Sequence, residues 1–409
     1  SSWQYELTVT PPAPAEYNAT TTDNYKIESY REDPVSHTKQ AVPWEVVGYD
    51  TDGDGTFSMT EPFPSWFTGL TTTNGNGSIT TTGETGVANL VPDVVNKLAR
   101  MNAALKLNAK GSASDYYDLS THDIKGNVTP RNTANCYVIS HPGYYKIPLV
   151  YGNAITGGNT NTNAYQTSNI GTYILTHFKD HNNQDITDPW ITQSNGGANV
   201  PNGAKLVWAD ESGLVTNLVV TGSGTNAFVK FEVPAANIKN GNAVIAVTKG
   251  GTVVWSWHLW FAPQDVLGTV ACTNFQGHEY KFTQETLGWK YTAWSVATYS
   301  APRSVKVKVE QIAANGGVKQ SAYITITQNP GNTTREGYNT FYQFGRKDAL
   351  PGTDAIAQGS YSFYPASGGR PIGFAIQHPE NMFSSSGIGA FNSNDWCNAT
   401  YYNLWSMNN

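Results

Sequence analysis

The chain has little charge. Only 14% of its 409 residues are Asp, Glu, Lys or Arg, and its formal net charge is −6, whereas globular domains average about 25% charged residues. It has no cluster of lysines and arginines of the kind that follows a phosphate backbone, so we expect no nucleic-acid partner. A chain that solvates itself with neutral polar residues is more typical of all-β secreted or surface proteins than of cytosolic enzymes.

Long apolar runs are also missing. No segment approaches the roughly 18–20 apolar residues that span a bilayer. The sequence starts with neither Met nor a charged-then-apolar leader. We therefore expect a mature product, trimmed of a signal or starting after a lipid-carrying residue. In the second case, that N-terminal lipid would attach the protein peripherally to a membrane.

Cysteine is scarce. Cys136, Cys272 and Cys397 lie far apart and show no metal-ligand spacing. At most one disulfide can form within the chain, and one cysteine must then stay free. Cys136 lies in the apolar run NCYVIS, which predicts a buried free thiol.

Aromatic residues and glycine are plentiful, and the most informative stretch is residues 240–261. Two apolar runs flank a Lys-Gly-Gly turn there, the pattern of a β-hairpin. In the second run, alternate residues are large and apolar, which predicts one core-facing side of a strand: Val253, Trp255, Trp257, Leu259 and Phe261. We expect the other side to be a mixed, partly wet surface formed by Ser256, His258 and Trp260.

Short alternating runs separated by Gly, Pro, Asn and Thr predict an all-β protein with tandem β-sandwich domains of immunoglobulin or transthyretin type. We expect a first domain over residues 1–118, which residues 297–330 would complete, and a second domain over residues 119–296. Residues 331–409 are predicted to form a loop-rich C-terminal region that faces a tip or a ligand. In residues 303–311, valines and lysines alternate as in an edge strand with one wet face.

One helix is predicted, over residues 92–110. Pro92 suits its first turn, and apolar residues recur at helical spacing: Val94, Leu98, Met101 and Leu105. A covering or linking helix explains this pattern. Its polar face lacks the basic stripe of a membrane-surface helix.

Five motifs, in order along the chain, resemble the fimbrillin-like surface proteins of Bacteroidales: RNTANCYVISHPGYYKIPLVYGNAI (131–155), KLVWADESGLVTN (205–217), GNAVIAVTKGGTVVWSWHLWF (241–261), PRSVKVKVEQ (302–311) and YNTFYQFGRKDALPG (338–352). These are lipoprotein-derived proteins, several of which look like tip or accessory subunits of type V pili. The resemblance implies a location on the extracellular face of the outer membrane, with other fimbrial subunits or an anchor protein as partners. Such subunits exchange a strand with a neighbour, and no donor strand is evident here.

A second resemblance concerns Trp44, PSWFTG (64–69), NGNGS (74–78), RSVKVKVEQ (303–311) and YITITQ (323–328). Their order is similar to that of the strands in the Bacteroidetes-associated carbohydrate-binding often N-terminal module, an immunoglobulin-like sandwich. It implies that residues 301–328 close a domain begun by residues 1–85, with the middle of the chain as an insertion. The strand at 303–311 would then lie beside N-terminal strands.

The segment DTDGDGTFSMTE (50–61) matches a calcium-binding loop. The candidate ligands occupy positions 1, 3, 5, 7 and 12: Asp50, Asp52, Asp54, Thr56 and Glu61. Three carboxylates that converge on one hard cation suit Ca²⁺. A strand-like run precedes the loop, however, and the prolines that follow it forbid an exit helix. An acidic, glycine-rich turn between two strands is the alternative.

Nothing in the sequence calls for an enzyme. Gly-x-Ser-x-Gly elbows, Walker loops and Rossmann fingerprints are missing from strand-to-helix contexts. His177 and His181, with Asp180, form the nearest approach to a metal pair, but no third ligand is evident, so we expect solvated side chains. His258 is expected to be satisfied within its sheet.

Aromatic residues in loops are candidates for stacking on sugar rings. They are Trp396, Tyr401, Tyr402 and Trp405, and secondarily Trp190. Burial in a core is the ordinary explanation for aromatic residues in a chain of this kind. Together these observations predict a non-enzymatic surface adhesion or fimbrial tip or accessory protein. The alternative is a carbohydrate-binding module that recognises a host or dietary glycan.

Overall fold

The computed structural model describes residues 2–168, 176–313, 319–331, 333–343, 346–352, 355–364 and 371–383. As predicted, the fold is all-β, and most of its strand pairs are antiparallel. The strands form several separate sheets. Over the described ranges, no helix is both long and apolar enough to cross a bilayer.

The predicted helix is shorter than expected, spanning Lys97–Leu105. Val95–Asn96 pairs with Ser295 and Val296 as a short strand, which removes the first turns. Leu105 is the buried residue of the helix. A second short helix is Ile372–Gln377, and two 3₁₀ turns are Leu119–Thr121 and Thr162–Ala164. Ser194–Gly197 is a tight turn in which Asn195 and Gly196 have positive φ angles.

The chain divides into two compact units. The first consists of Ser1–Lys97 and Trp294–Arg335, and the second of Leu98–Ala293 and Glu336–Asn409. Residues 98–118, which we expected in the first domain, belong to the second unit. Of the predicted C-terminal region, residues 331–335 belong to the first unit, and the described residues from Glu336 to Phe383 belong to the second.

The first unit contains a four-stranded sheet in the order Ser321–Gln328, Arg303–Gln311, Trp44–Asp50 and Asn74–Gly75. A second sheet contains Gln4–Thr10, Tyr25–Glu32 and Lys39–Ala41, with Glu84–Gly86 also paired to Tyr25–Glu32. Phe67–Leu70 pairs with Ala88–Leu90. Val305, Val307 and Val309 are buried in the core of this unit. The antiparallel pairing of Arg303–Gln311 with Trp44–Asp50 is the adjacency predicted for residues 303–311.

The second unit contains a five-stranded sheet in the order Cys136–Ile139, Thr252–Phe261, Gly241–Lys249, Gly203–Ala209 and Gln358–Gly359. A four-stranded sheet has the order Tyr117–Asp118, Gly143–Pro148, Asn226–Val233 and Thr216–Ser223. The first pair in each order is parallel, and the other pairs are antiparallel. Short two-stranded pairs are Ile155–Thr156 with Asn159–Thr160, Thr269–Thr273 with Glu279–Thr283, and Ser362–Tyr364 with Asn381–Phe383. The remaining strands, Lys290–Val296 and Thr334–Tyr338, each have residues in both units.

The hairpin at 240–261 forms as predicted, and Trp255, Trp257, Leu259 and Phe261 lie in the main core of the second unit. Val253 does not lie with them. A bulge leaves Val254 without a direct partner and turns Val253 to the opposite side, where it packs near Trp208.

The prediction of a partly wet opposite side was wrong. Ser256, His258 and Trp260 are 1%, 2% and 1% exposed. Residues from the C-terminal region cover part of this side, including Ala349, which packs with Trp208 and Val253. The described parts of the C-terminal region thus contribute to the core.

Candidate functional site

An acidic loop begins where the strand Trp44–Asp50 ends. One carboxylate oxygen each from Asp50, Asp52 and Asp54 lies within 4.8 Å of the other two. Ca²⁺ binds oxygen ligands at about 2.3–2.6 Å, so two ligand atoms on opposite sides of one ion are roughly 5 Å apart. The three oxygens are therefore spaced so that a single ion can contact all of them.

Backbone amides fix these carboxylates in place. Asp50, only 4% exposed, accepts a hydrogen bond through Oδ2 from the amide of Gly55 at 3.0 Å. Asp52 Oδ1 accepts from the amide of Asp54 at 3.1 Å. Asp54 Oδ1 in turn accepts from the amide of Thr56 at 2.8 Å. Each side chain is thus held over the loop that carries it, and the three converge.

The carboxyl groups influence one another's ionisation. Burial acts to raise the pKa of Asp50, but amide hydrogen bonds from Gly55 and Gly53 outweigh it and lower that pKa below its ordinary value. For Asp52, the Asp54 amide acts to lower the pKa, while burial and the Asp50 and Asp54 carboxyl groups raise it overall. Crowded carboxylates of this kind are stabilised by a divalent cation.

Glu61, the candidate for position 12, lies outside this cluster. Its Oε1 atom accepts hydrogen bonds from the amide and the hydroxyl of Thr51, at 3.0 and 2.9 Å. For Thr56, the position-7 ligand would be the backbone carbonyl oxygen. The donor set of three carboxylates fits Ca²⁺ in chemistry and spacing, and further oxygen ligands would have to complete the six to eight that Ca²⁺ takes.

A glycine allows the loop to fold back over its own strand. The backbone groups of Tyr49 and Ser58 exchange hydrogen bonds of 3.0 and 3.1 Å. Directly before them, a Cβ atom on Gly48 would lie 2.8 Å from the carbonyl carbon of Phe57. Any side chain at position 48 would therefore push the loop away from the sheet.

A groove of about 490 Å³ lies beside the loop. It is lined by Asp50, Gly53, Gly55, Phe57, Ser304, Lys306, Tyr323 and Thr325. The rings of Phe57 and Tyr323 are 5.2 Å apart, and Tyr323 is half exposed. Our reading of the sequence missed this pair. The alternation of YITITQ, which turns Tyr323 and Thr325 away from the core, is the signal that could have found it.

In the second unit, a buried ionic cluster covers the middle of the strand Thr252–Phe261. Lys347 Nζ donates to Ser256 Oγ at 2.7 Å and lies 2.7 Å from Asp348 Oδ1. The guanidinium of Arg346 lies 3.6 Å from Asp348 Oδ2. Burial lowers the pKa of Lys347, while the Asp348 carboxylate acts in the opposite direction. All four side chains are buried, so the cluster fastens the C-terminal region to the sheet.

His258 is satisfied within its sheet, as predicted. Its Nε2 atom lies 2.8 Å from Asn242 Oδ1, an acceptor, so Nε2 carries the proton and Nδ1 accepts from the Tyr342 hydroxyl at 2.6 Å. Burial lowers the pKa of His258 to about 3. The neutral imidazole therefore acts as a structural hydrogen-bonding group.

Asn242 links His258 to a buried acid. The side-chain amide of Asn242 donates to Asp210 Oδ2 at 3.0 Å, and its backbone amide donates to Asp210 Oδ1 at 2.6 Å. Burial raises the pKa of Asp210 to about 6, although these hydrogen bonds act to lower it. The thiol of Cys136 lies 3.4 Å from His258 Nδ1. Cys136 is free, and burial raises the pKa of its thiol to about 12.

The expectation of solvated side chains around residues 177–181 was wrong for two of the three. Asp180 and His181 are 1% and 5% exposed. The carboxylate of Asp180 accepts four hydrogen bonds, from the amides of Asn182 and Gln184 and the side chains of Asn195 and Asn199. It closes a tight turn that is not helical, so the spacing of His177 and His181 does not bring them onto one face.

The predicted aromatic platform is only partly covered by the structure. Trp190 is buried and belongs to the main core, so it is not a platform. Trp396, Tyr401, Tyr402 and Trp405 lie outside the described residues, as does Cys397.

Comparison of the chain with protein-family models, with curated proteins and with solved structures found no match.

Proposed function

We propose that this chain is a non-enzymatic surface adhesion protein, a tip or accessory component of a fimbria, with a calcium-binding loop. The resemblance of five ordered motifs to fimbrillin-like proteins and the low-charge, sheet-rich composition support the adhesive role. Its buried serine, lysine and histidine groups hold segments together, as Ser256, Lys347 and His258 do. A fold held together by such buried hydrogen bonds and ion pairs suits a protein that must keep its structure outside the cell.

The convergence of Asp50, Asp52 and Asp54 is the observation that carries the calcium part of this proposal. A bound ion would neutralise the carboxylates and hold the loop against the sheet. Extracellular modules bind Ca²⁺ with dissociation constants of about 10⁻⁴–10⁻³ M. A weak calcium site would therefore be sufficient in a protein outside the cell. We expect the ion to stabilise the loop and the groove beside it.

Calorimetric titration with Ca²⁺ tests the site directly. The wild-type protein should bind one ion, and Asp52→Ala should weaken binding by about tenfold or more because it removes one of three carboxylate ligands. Asp23→Ala, which removes an exposed carboxyl from the same unit, is the control and should leave the affinity unchanged. A wild-type titration without binding heat, together with an unchanged melting temperature in Ca²⁺, would rule the site out.

The adhesive role requires exposure on the cell. Labelling of intact cells with a membrane-impermeant reagent should modify this protein, and a deletion strain should lose fimbriae or attachment. Complementation of the deletion strain with Asp52→Ala then separates the two parts of the proposal. Restored attachment would support an adhesive role that does not depend on the calcium site. An intracellular location of the protein would eliminate the adhesive role.

Glycan binding is the second candidate, and the groove beside the loop favours it. Phe57 and Tyr323 offer ring faces, and Ser304, Lys306 and Thr325 offer polar groups, the mixture on which sugars are recognised. A glycan array tests this candidate, with Tyr323→Ala and Trp405→Ala compared with the wild type. Loss on Tyr323→Ala assigns binding to the groove, loss on Trp405→Ala assigns it to the C-terminal aromatic residues, and a blank array opposes the candidate.

A further inference from the structure

A cavity of about 180 Å³ lies in the second unit, beside the ends of its two large sheets. Tyr117 of the strand Tyr117–Asp118 lines it, and so do all four residues of the strand Cys136–Ile139. Each of these strands is the first in the order of its sheet and pairs on one side only among the described strands. The cavity is therefore bordered by an open edge of each sheet.

Part of the cavity wall is apolar. It includes the residues Leu119, Ile124, Val138 and Leu267. Ile124 and Val138 also pack against a buried cluster around Trp260, so this part of the wall is supported from behind. An apolar cavity of about 150 Å³ takes up benzene. A cavity of the present size therefore has room for one six-membered ring.

Lys110 supplies a cation to the cavity. Its backbone is fixed, because its amide donates to the Pro142 carbonyl at 2.8 Å and its carbonyl accepts from the Tyr144 amide at 2.9 Å. Gly143 permits this approach, since a Cβ atom there would overlap with the Lys110 carbonyl oxygen. The side chain extends toward Tyr117, with Nζ 6.0 Å from the centre of that ring. Among the described residues, Lys110 Nζ has neither a hydrogen-bond acceptor nor a carboxylate partner.

The Tyr117 hydroxyl borders the same space as the Lys110 ammonium. A Cβ atom on Gly126 would lie 3.7 Å from Lys110 Nζ and 3.8 Å from Tyr117 Oη. The φ angle of 87° at Gly126 favours glycine, so no side chain fills this space. His122 stacks on the Tyr117 ring, with centroids 3.9 Å apart, and holds it in place. Burial raises the pKa of Tyr117, so its hydroxyl keeps its proton and can donate a hydrogen bond.

The acidic residue of the cavity, Asp123, is satisfied within its own turn. Its Oδ1 atom accepts from the amides of Lys125 and Asn127 at 3.0 and 2.8 Å, and its Oδ2 atom accepts from the Asn127 side chain at 3.0 Å. Over the described ranges, by contrast, the Tyr117 hydroxyl and Lys110 Nζ make no side-chain hydrogen bond. Donors that lack a partner at a cavity favour a ligand with anionic oxygen acceptors.

We propose that this cavity binds a small carboxylate that carries an apolar ring, an aromatic acid of the benzoate class. The carboxylate accepts hydrogen bonds from Lys110 Nζ and the Tyr117 hydroxyl, and the ring lies against the apolar wall that includes Ile124 and Val138. An apolar wall with a few convergent polar groups is the usual construction of a small-molecule site.

This site does not depend on the proposed calcium-binding or adhesive function. Its residues belong to the second unit, whereas the acidic loop at 50–61 belongs to the first. Binding of an aromatic acid in the presence of EDTA therefore tests the cavity alone, and a failure there leaves the calcium site unaffected.

Titration of the full chain with sodium benzoate in EDTA, followed by ligand-observed NMR, tests the ligand class. Benzoate should bind with a dissociation constant of about 1 mM or below. Benzyl alcohol keeps the ring without the charge, and acetate keeps the charge without the ring, so each should bind at least about fivefold more weakly. Galacturonate combines the carboxylate with a polar ring and should also bind more weakly. A benzoate dissociation constant above about 10 mM, or tighter binding of any of the other three ligands, would overturn the proposal.

Matched variants test whether benzoate binds in this cavity. Lys110→Met removes the cation and keeps an unbranched side chain, so it should weaken benzoate binding by about tenfold and change benzyl alcohol binding less than about twofold. Lys125→Met removes an exposed lysine from the neighbouring turn and is the control, with unchanged binding of both ligands. Tyr117→Phe keeps the stacked ring and should weaken benzoate binding by about threefold or more. Equal effects of the two lysine variants, or wild-type affinity in both Lys110→Met and Tyr117→Phe, would show that benzoate does not bind in the cavity.

Discussion

The ammonium group of Lys347 lies 2.7 Å from the carboxylate of Asp348, its neighbour in the sequence, and both side chains are buried. Adjacent residues in a strand point to opposite faces, so this contact requires a loop that turns both side chains inward. They meet at Ser256, which donates to the same carboxylate oxygen at 2.7 Å. The buried pair thereby ties the loop to the middle of the five-stranded sheet.

Replacement of Lys347 by Met should be strongly destabilising. Breaking one side of a buried ion pair costs about 3–5 kcal/mol, and Lys347→Met leaves Asp348 with the more distant Arg346 guanidinium, at 3.6 Å, as its remaining cation. The double variant Lys347→Met/Asp348→Asn should lose more stability, because it leaves the buried Arg346 without its carboxylate. Urea unfolding measures both values. Lys239→Met, at an exposed lysine that pairs with Glu211 at 3.4 Å, is the control and should cost less than about 1 kcal/mol. Similar losses at the two lysines would contradict the structural role of the cluster.

Replacement of Gly48 by Ala should displace the acidic loop. The added Cβ would lie 2.8 Å from a backbone atom of Phe57, and overpacking of this kind costs typically about 1–3 kcal/mol. The free energy of unfolding should fall by this amount, and Ca²⁺ affinity should fall with it because the carboxylates move. Glu45→Ala, at an exposed position of the same strand, should change neither. Wild-type stability in Gly48→Ala would mean that the loop does not lie over its strand.

His258 makes stability depend on acid pH. Its pKa in the fold is about 3, below the ordinary value of about 6.5. The unfolded chain therefore takes up a proton that the folded chain refuses. The contribution of His258 to the free energy of unfolding is complete above pH 6.5. It decreases by on the order of 5 kcal/mol as the pH falls toward 3.

In His258→Gln this dependence should disappear, so the stability difference between wild type and variant should shrink as the pH falls. Urea unfolding at several pH values between 7.5 and 4 measures the difference. Asp210 is common to both proteins, so its own titration cancels. A difference that stays constant over this range would contradict a neutral, buried His258.

Asp210 acts in the opposite direction. Its pKa in the fold is about 6, above the ordinary value, so the folded chain holds the proton longer than the unfolded chain. The contribution of the protonated Asp210 to the free energy of unfolding is present below about pH 4. It decreases by roughly 3 kcal/mol as the pH rises through 6.

Asp210→Asn should therefore gain stability relative to the wild type as the pH rises from 4 to 6. The same urea series measures this gain. Asp23→Asn, at an exposed carboxyl, should run parallel to the wild type. A parallel curve for Asp210→Asn as well would indicate that the pKa of Asp210 is the same in the folded and the unfolded chain.

Alternation in the sequence predicted which strand residues face inward, but not where a strand lies in its sheet. Arg303–Gln311 was expected at an edge and instead lies between Ser321–Gln328 and Trp44–Asp50. Val305, Val307 and Val309 were expected to face inward and are all fully buried. The pairing of their strand with Trp44–Asp50 was expected from a resemblance and not from periodicity, because a strand pattern does not name its partner. The bulge that moves Val253 to the other side of its sheet left no trace in the pattern, since valine fits either face.

The candidate site was predicted in part. The spacing of Asp50, Asp52 and Asp54 identified the loop, because residues two apart in a tight turn can direct their carboxylates to one point. Glu61 was expected to join them and instead bonds to Thr51, since the backbone path after residue 56 decides where position 12 lies. The aromatic pair of Phe57 and Tyr323 joins segments that the sequence does not connect.

By itself, the sequence determined that this is an all-β protein, where its most clearly alternating strands lie and which of their residues are apolar enough for a core. These properties can be predicted because periodicity depends only on residues that are close together in the sequence. Only the tertiary structure decided that Ser256 and His258 are buried and that other buried groups satisfy their hydrogen bonds. The segment that covers them is distant in the sequence. Asp348, which accepts a hydrogen bond from Ser256, lies 92 positions further along the chain. Burial depends on what covers a surface, and that is settled when distant segments pack.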